Sequence, residues 1–233
     1  MAIINVVFDF DGSLATTFVG GEMFRDHTPE DQVAKAHERF VTNKTSLREY
    51  QEEVFDLADE SPSEMSKRAV ETSSIRPLAH EICERVWNSG GKVSVASAGL
   101  DFYIQPVLNN AGLDRIEVHS GRVVSSATER PPFRYDYPSS EKTCKGDWVT
   151  CKCEVINRLK YDGDDEADSE VIFVGDGATS DSCAARNAAD VVFATGRLLA
   201  YCRENGITAT EFGDDLGPVL SYVVSKTSED GAQ

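Results

Sequence analysis

The chain has 233 residues, 40% of them apolar and 27% charged, enough for one packed domain with a modest insertion. Its 23 Lys and Arg face 40 Asp and Glu, a formal net charge of -17. That balance excludes a broad basic face for nucleic acid or an anionic membrane, but leaves small anionic ligands open, because a few local cations or a metal ion reverse the field inside one cleft.

No run approaches the roughly 18 apolar residues that span a bilayer. The opening MAIINVVFDFDG has no basic n-region and its apolar run stops at Asp9, so it does not read as a signal peptide. The six cysteines are then expected as free thiols in a reducing, cytoplasmic setting.

Ile3 to Phe8 is apolar except for Asn5 and rich in β-branched residues, as a strand buried on both faces should be. It ends in Asp9-Phe10-Asp11-Gly12-Ser13. In extended chain Asp9 and Asp11 share a side, and two such carboxylates are costly to bury unless a cation holds them. Residues 18–75 differ in texture and predict a helical insertion. Thr28-Pro29 reads as a cap followed by a first-turn proline, and Ser46 to Glu49 and Ser61 to Glu64 both fit the capping box. Leu47, Tyr50, Val54 and Leu57 form an apolar stripe at helical spacing.

A helix over Pro77 to Ser89 leads to a second strand, Lys92 to Ala96, which runs into Ser97-Ala98-Gly99 and a helix expected from Leu100 to Ala111. A hydroxyl with free amides at a helix start suits an anion. Val118 to Val124, with Gly121 inside, predicts a hairpin before a Pro-rich loop that runs to Trp148. Cys144, Cys151 and Cys153 follow; C-x6-C-x-C without a nearby His argues against a zinc knuckle. Lys152 precedes a helical stretch, Val155 to Leu159, and Lys142 and Lys145 are competing cations. Glu170 to Val174 is a third buried strand, ending in Gly175-Asp176-Gly177 with Asp181 beyond. A helix from Ser180 to Ala189, a strand over Val191 to Ala194 and a disordered tail over 225–233 complete the reading. His27, His37, His80 and His119 read as surface or packing residues, Trp87 as core, and Cys183 and Cys202 as small buried hydrophobes.

The pattern predicts an α/β protein: a doubly wound, Rossmann-like parallel sheet (1–17 and 76–233) with an inserted helical unit (18–75). Two strands delivering carboxylates to one sheet edge make a hard-cation site, and oxygen-only ligation favours magnesium.

DxD after the first strand, Ser at the second, a Lys and an acidic GD loop, in this order over residues 3 to 196, resemble the haloacid dehalogenase superfamily. The insertion looks like that family's type 1 cap. VASAGLDFYI and VGDGATSDSCAARNAADVVFA are similar to the branch with phosphoserine and methylthiopentenyl-phosphate phosphatases. The resemblance implies Asp9 as nucleophile, giving an aspartyl-phosphate, and Asp11 as general acid and base. It implies Mg2+ held by Asp9, Asp11 through its carbonyl, and Asp176, with Asp181 a ligand or an orienter of metal-bound water. Ser97, Gly99 and Lys152 would bind the phosphoryl group, and Glu22 and Arg25 would read the substrate or simply pair with each other. Asp11 favours phosphate-ester hydrolysis, because dehalogenating members lack a carboxylate there. Ser13 stands where the family usually has Thr, and Asp181 lies one residue further from Asp176 than in phosphoserine phosphatases.

The expected partner is a small phosphorylated metabolite, with no nucleic acid and no membrane; the sequence does not set an oligomeric state. The alternatives are a phosphatase of a lipid-like (prenyl) phosphate or diphosphate, with the stripe on the insertion lining its pocket, and a non-catalytic binding protein on the same fold.

Overall fold

The computed structural model describes residues 3–139, 144, 149–161 and 169–228. Strands β1 (Ile3–Phe8), β2 (Val93–Leu100), β3 (Glu117–Val123), β4 (Tyr135–Asp136), β5 (Ser169–Gly175), β6 (Val191–Ala194) and β7 (Thr210–Glu211) make one sheet in the order β4-β3-β2-β1-β5-β6-β7. Neighbours are parallel except β3 with β4. Helices α1 (Val19–Phe24), α2 (Glu30–Val41), α3 (Leu47–Leu57) and α4 (Pro62–Thr72) fall between β1 and the rest of the sheet. Then come α5 (Ala79–Asn88), α6 (Asp101–Asn110), α7 (Lys152–Tyr161), α8 (Asp181–Asn187), α9 (Gly196–Glu204) and α10 (Gly217–Thr227).

The apolar run of β1 is explained by its central place. Val6 and Phe8 join an apolar cluster with Ile82, Val86 and Val223 on one face, and Val7 joins Ile156, Phe173 and Ala184 on the other. Asn5, the polar exception, is buried but satisfied. Its Nδ2 donates to Ser169 Oγ at 2.7 Å and its Oδ1 accepts from the Lys92 N–H at 2.8 Å, stitching the start of β1 to the strands beside it. A buried polar group fully bonded in this way fixes register instead of costing stability.

Both capping boxes form: Ser46 with Glu49 opens α3, and Ser61 with Glu64 opens α4. Ser61→Ala removes the hydroxyl that accepts the Glu64 N–H, so it should cost about 1 kcal/mol and lower the Tm by about 2–4 °C. A thermal melt checks this, and an unchanged Tm would mean that the cap is dispensable.

Several expectations need correction. Thr28 does not cap α2; Pro29 holds that position, and the Thr28 hydroxyl donates back to the Phe24 carbonyl that ends α1. Val118 to Val124 is no hairpin: β3 runs straight through Gly121 and pairs antiparallel with β4, which lies within the region read as a Pro-rich loop. Gly121 is there for close packing, since a Cβ would meet Leu100, Val149 and Tyr137 at 2.8, 2.9 and 3.0 Å. β2 continues to Leu100 and α6 starts at Asp101, so Ser97 belongs to the strand and not to a helix start. The expected tail starts too early, because α10 carries helix to Thr227; 229–233 lie outside the described residues.

The buried residues of α3 are Gln51, Val54 and Phe55, with Ala58 buried just past its end, a face turned from the expected stripe. Tyr50 instead stacks on Phe40 of α2 at 5.1 Å, so its ring packs one helix of the insertion on another. Phe55 reaches Phe24 at 4.8 Å and stacks over Tyr103 at 6.3 Å, which in turn lies 6.1 Å from Phe10. That aromatic chain ties the 19–72 helices to the residues just beyond β1. Trp87 is only partly buried, under the Arg115 guanidinium at 4.2 Å. The histidines behave as packing or surface groups: His80 sits on the Ala111 carbonyl and His27 on Glu60.

Candidate active site

Register brings three segments to one edge. Phe8 pairs with Val95 of β2 and with Val174 of β5, and the Asp9 N–H donates to the Val174 carbonyl at 2.8 Å. Asp9 and Asp176 therefore leave the carboxyl ends of the adjacent parallel strands β1 and β5, and Ser97 lies in the second half of β2, on the other side of β1, at the edge where open α/β sheets hold ligands.

At this edge Lys152, the first residue of α7, is buried to 2% exposure. Its Nζ lies 2.7 Å from Asp9 Oδ1 and also donates to Asp181 Oδ1. Burial alone would lower the Lys152 pKa, but Asp181 and Asp9 raise it overall, so the ammonium stays charged. Asp9 is pushed well above its ordinary value by burial and by the Asp181 charge, with Lys152 opposing. One buried cation thus serves two buried carboxylates, with Asp176 close by. Asp9, Asp176 and Asp181 each offer an oxygen within 4.8 Å of the others, a donor set suited to a hard cation.

Asp181 is the most engaged of the three. Oδ2 accepts the N–H groups of Gly177 at 2.8 Å and Asp176 at 3.2 Å, and Oδ1 accepts from Ser180 Oγ and Lys152. Gly175 fits because a Cβ there would meet Asp181 Oδ2 at 2.8 Å. Asp176 keeps more freedom: its Oδ1 accepts from Ser13 Oγ at 3.1 Å, and its pKa is raised by burial and by Asp181. The hydroxyl of Ser13 thus aims the second acidic loop.

Asp11 has a different environment. Its Oδ2 accepts from the Tyr103 hydroxyl at 2.9 Å and its Oδ1 from the Gly20 N–H at 3.2 Å. Burial pushes the Asp11 carboxyl up to about 6, with the Tyr103 hydrogen bond pulling the other way. Gly99 makes room for this ring, since a Cβ would meet the Tyr103 oxygen at 1.9 Å.

Two residues missed by the sequence reading complete the geometry. Tyr103 reads as one more aromatic on a helix, and its role becomes visible only once α6 is placed over Asp11. Arg76 is the other: its guanidinium donates to the carbonyls of Gly12, Ser13 and Gly213 at 2.7, 2.7 and 2.8 Å, bracing the turn after β1. Gly12 in that turn has φ +78° and faces Asp176 Oδ2, which a Cβ would meet at 2.7 Å.

Of the other predicted residues, Ser97 is buried and accepts the Gly99 N–H at 3.0 Å. Glu22 and Arg25 pair with each other at 2.7 Å, with Arg25 well exposed, as the salt-bridge alternative had it. Lys142 and Lys145 lie outside the described residues.

The chain is 28% identical over 211 residues to a bifunctional enzyme, MtnB/MtnX, of Bacillus licheniformis; the alignment covers 90% of the chain but 47% of that enzyme, about half its length. It is 28% identical to a 2-hydroxy-3-keto-5-methylthiopentenyl-1-phosphate phosphatase of Bacillus anthracis and 24% identical to one of Exiguobacterium sibiricum, covering 90% of this chain and 91% of each. A substrate-bound phosphoserine phosphatase superposes with a TM-score of 0.67 at 20% identity, over 94% of this chain and 97% of that one, which shows a shared fold. No helix among the described residues is long and apolar enough to cross a membrane. The family model for haloacid dehalogenase-like hydrolases matches residues 6–186, and the chain belongs to that family.

Proposed function

We propose that this protein is a magnesium-dependent phosphatase of a small phosphate monoester, acting through an aspartyl-phosphate on Asp9. The observation that carries the reading is the buried Lys152 ammonium held between Asp9 and Asp181, with Asp176 beside them and a protonatable Asp11 two residues on. Asp9 and Asp176, with the Asp11 carbonyl, would hold the metal; when bound, magnesium supplies positive charge that offsets the phosphoryl oxygens. Asp181, with its oxygens already engaged, holds Lys152 in place.

The chain's own groups do the rest. The Asp9 carboxylate attacks phosphorus while Lys152 and Ser97 bind phosphoryl oxygens. Asp11 gives its proton to the departing alkoxide, then takes one from the water that cleaves the acyl phosphate. The helices over 19–72 act as a cap on this edge and limit substrates to small molecules. A methylthiopentenyl phosphate, named in the sequence relatives, and phosphoserine, suggested by the structural neighbours, head the substrates to test.

The test is phosphate release from a panel of small monoesters containing both compounds, with Mg2+ and with EDTA. Release from one ester well above the rest, abolished by EDTA and restored by Mg2+, is expected. Release that survives EDTA undiminished would contradict the metal assignment.

Tyr103 would be a positioning residue for Asp11. As general acid Asp11 must be protonated, so activity falls as pH rises past its pKa. The Tyr103 hydrogen bond favours the ionised form, so Tyr103→Phe raises that pKa. The alkaline limb of kcat/KM should move up by about half a unit to one unit, which a pH profile measures. A limb that stays in place would separate Tyr103 from the proton donor.

A further inference from the structure

On the sheet face packed by α7 and α8, three thiols converge and a fourth lies beside them. Cys144 Sγ lies 3.1 Å from Cys183 Sγ, and Cys144, Cys153 and Cys183 place their sulfurs within 4.8 Å of one another. Cys151 neighbours Cys144 and Cys153, just outside that three-sulfur group. Cys151 and Cys153 are buried, whereas Cys144 and Cys183 are half-buried. The three cysteines close in sequence gain their fourth partner from α8, thirty residues after Cys153, which is why C-x6-C-x-C alone argued against a metal.

From this geometry we propose that Cys144, Cys151, Cys153 and Cys183 form a tetrathiolate site for a borderline-soft divalent cation, zinc, separate from the oxygen-lined acidic cluster. Zinc takes four sulfurs tetrahedrally at about 2.3 Å, which sets them about 3.8 Å apart; the Cys144, Cys153 and Cys183 sulfurs, all within 4.8 Å of one another, match three of these positions, and Cys151 would close in as the fourth. A disulfide explains the cluster less well. It would join two of the four sulfurs, and 3.1 Å is far beyond an S–S bond of about 2.05 Å. Apolar packing does not require three thiols to face one point with a fourth beside them.

Asn187 Nδ2 donates to Cys183 Sγ at 3.2 Å, the kind of outer bond that steadies a metal-bound sulfur. Cys151 and Cys153 flank Lys152, the first residue of α7, so both stand at the start of that helix. Binding Zn2+ releases the thiol protons to solvent with no change of oxidation state.

The placement gives the site a purpose. Cys153 follows Lys152 directly, and Cys183 lies two residues after Asp181. A metal there would clamp α7 to α8 and so fix the Lys152–Asp181 pair that reaches Asp9. It is a structural clip, with no open position for a substrate.

The test is made on the whole chain purified under reducing conditions without chelator. Elemental analysis should find about one zinc per chain. Protein reconstituted with Co2+ in place of zinc should show sulfur-to-cobalt charge-transfer absorption in the near ultraviolet and the strong visible bands of a tetrahedral site. An oxygen-only site cannot give the charge-transfer band, so Asp176→Asn should keep it. Cys183→Ser and Cys144→Ser, with circular dichroism as a fold control, should each lose the zinc and weaken the band. If those variants fail to fold, the wild-type cobalt spectrum decides alone. A wild-type protein with no zinc and no sulfur-to-cobalt band would overturn the proposal, as would iron in place of zinc.

Discussion

Asp9→Asn should abolish phosphate release while leaving the protein folded. Asn keeps the shape and an oxygen for the Lys152 ammonium, but its amide cannot form an acyl phosphate, so the loss should be at least about 10⁴-fold in kcat. The fold has reason to tolerate the change. Burial and the neighbouring Asp181 charge already oppose ionised Asp9, so removing that charge relieves repulsion while Lys152 keeps Asp181. The Tm should hold steady or rise slightly. Phosphate release from the panel and a thermal melt together check this. Full activity in the variant would remove Asp9 from the reaction.

Lys152→Met should damage activity and stability together. Met fills much of the same volume without charge, leaving Asp9 and Asp181 buried with no cation between them. Breaking a buried ion pair from one side costs about 3–5 kcal/mol, which lowers the Tm by about 10 °C in a domain of this size. Activity should drop about 10²–10³-fold or more, because a preorganised cation at the phosphoryl oxygens is lost. Adding Asp181→Asn to Lys152→Met should recover part of the stability but not the activity. A Lys152→Met protein as stable as the parent would mean that the ammonium is not the partner of these carboxylates. Thermal melts of the single and double variants provide the comparison.

The residues that could be read from sequence share a physical reason. Asp9, Asp11, Asp176 and Asp181 follow strands whose largely apolar, β-branched runs reveal burial on both faces, so carboxylates beyond their ends stand out. The capping boxes of α3 and α4 are local, closed within four residues, and form as expected. What could not be read depends on long-range placement. Arg76 acts on the backbone carbonyls of Gly12, Ser13 and Gly213, which any residue type would provide. Tyr103 meets Asp11 across 92 positions, and Cys183 meets Cys144 across 39. Gly121 misled the reading because a glycine that admits neighbours looks the same in sequence as one that turns the chain.

The most direct test of the phosphatase reading is to catch the phosphoryl group on the protein. Wild-type protein with Mg2+ is mixed with a small monoester that it hydrolyses, quenched in acid within milliseconds, digested at low pH and mapped by mass spectrometry. A phosphoryl adduct on the peptide carrying Asp9, absent from Asp9→Asn and lost on brief exposure to base, is the expected result. Turnover of the ester with no adduct at any quench time, or with the adduct on another residue, would contradict an aspartyl-phosphate on Asp9.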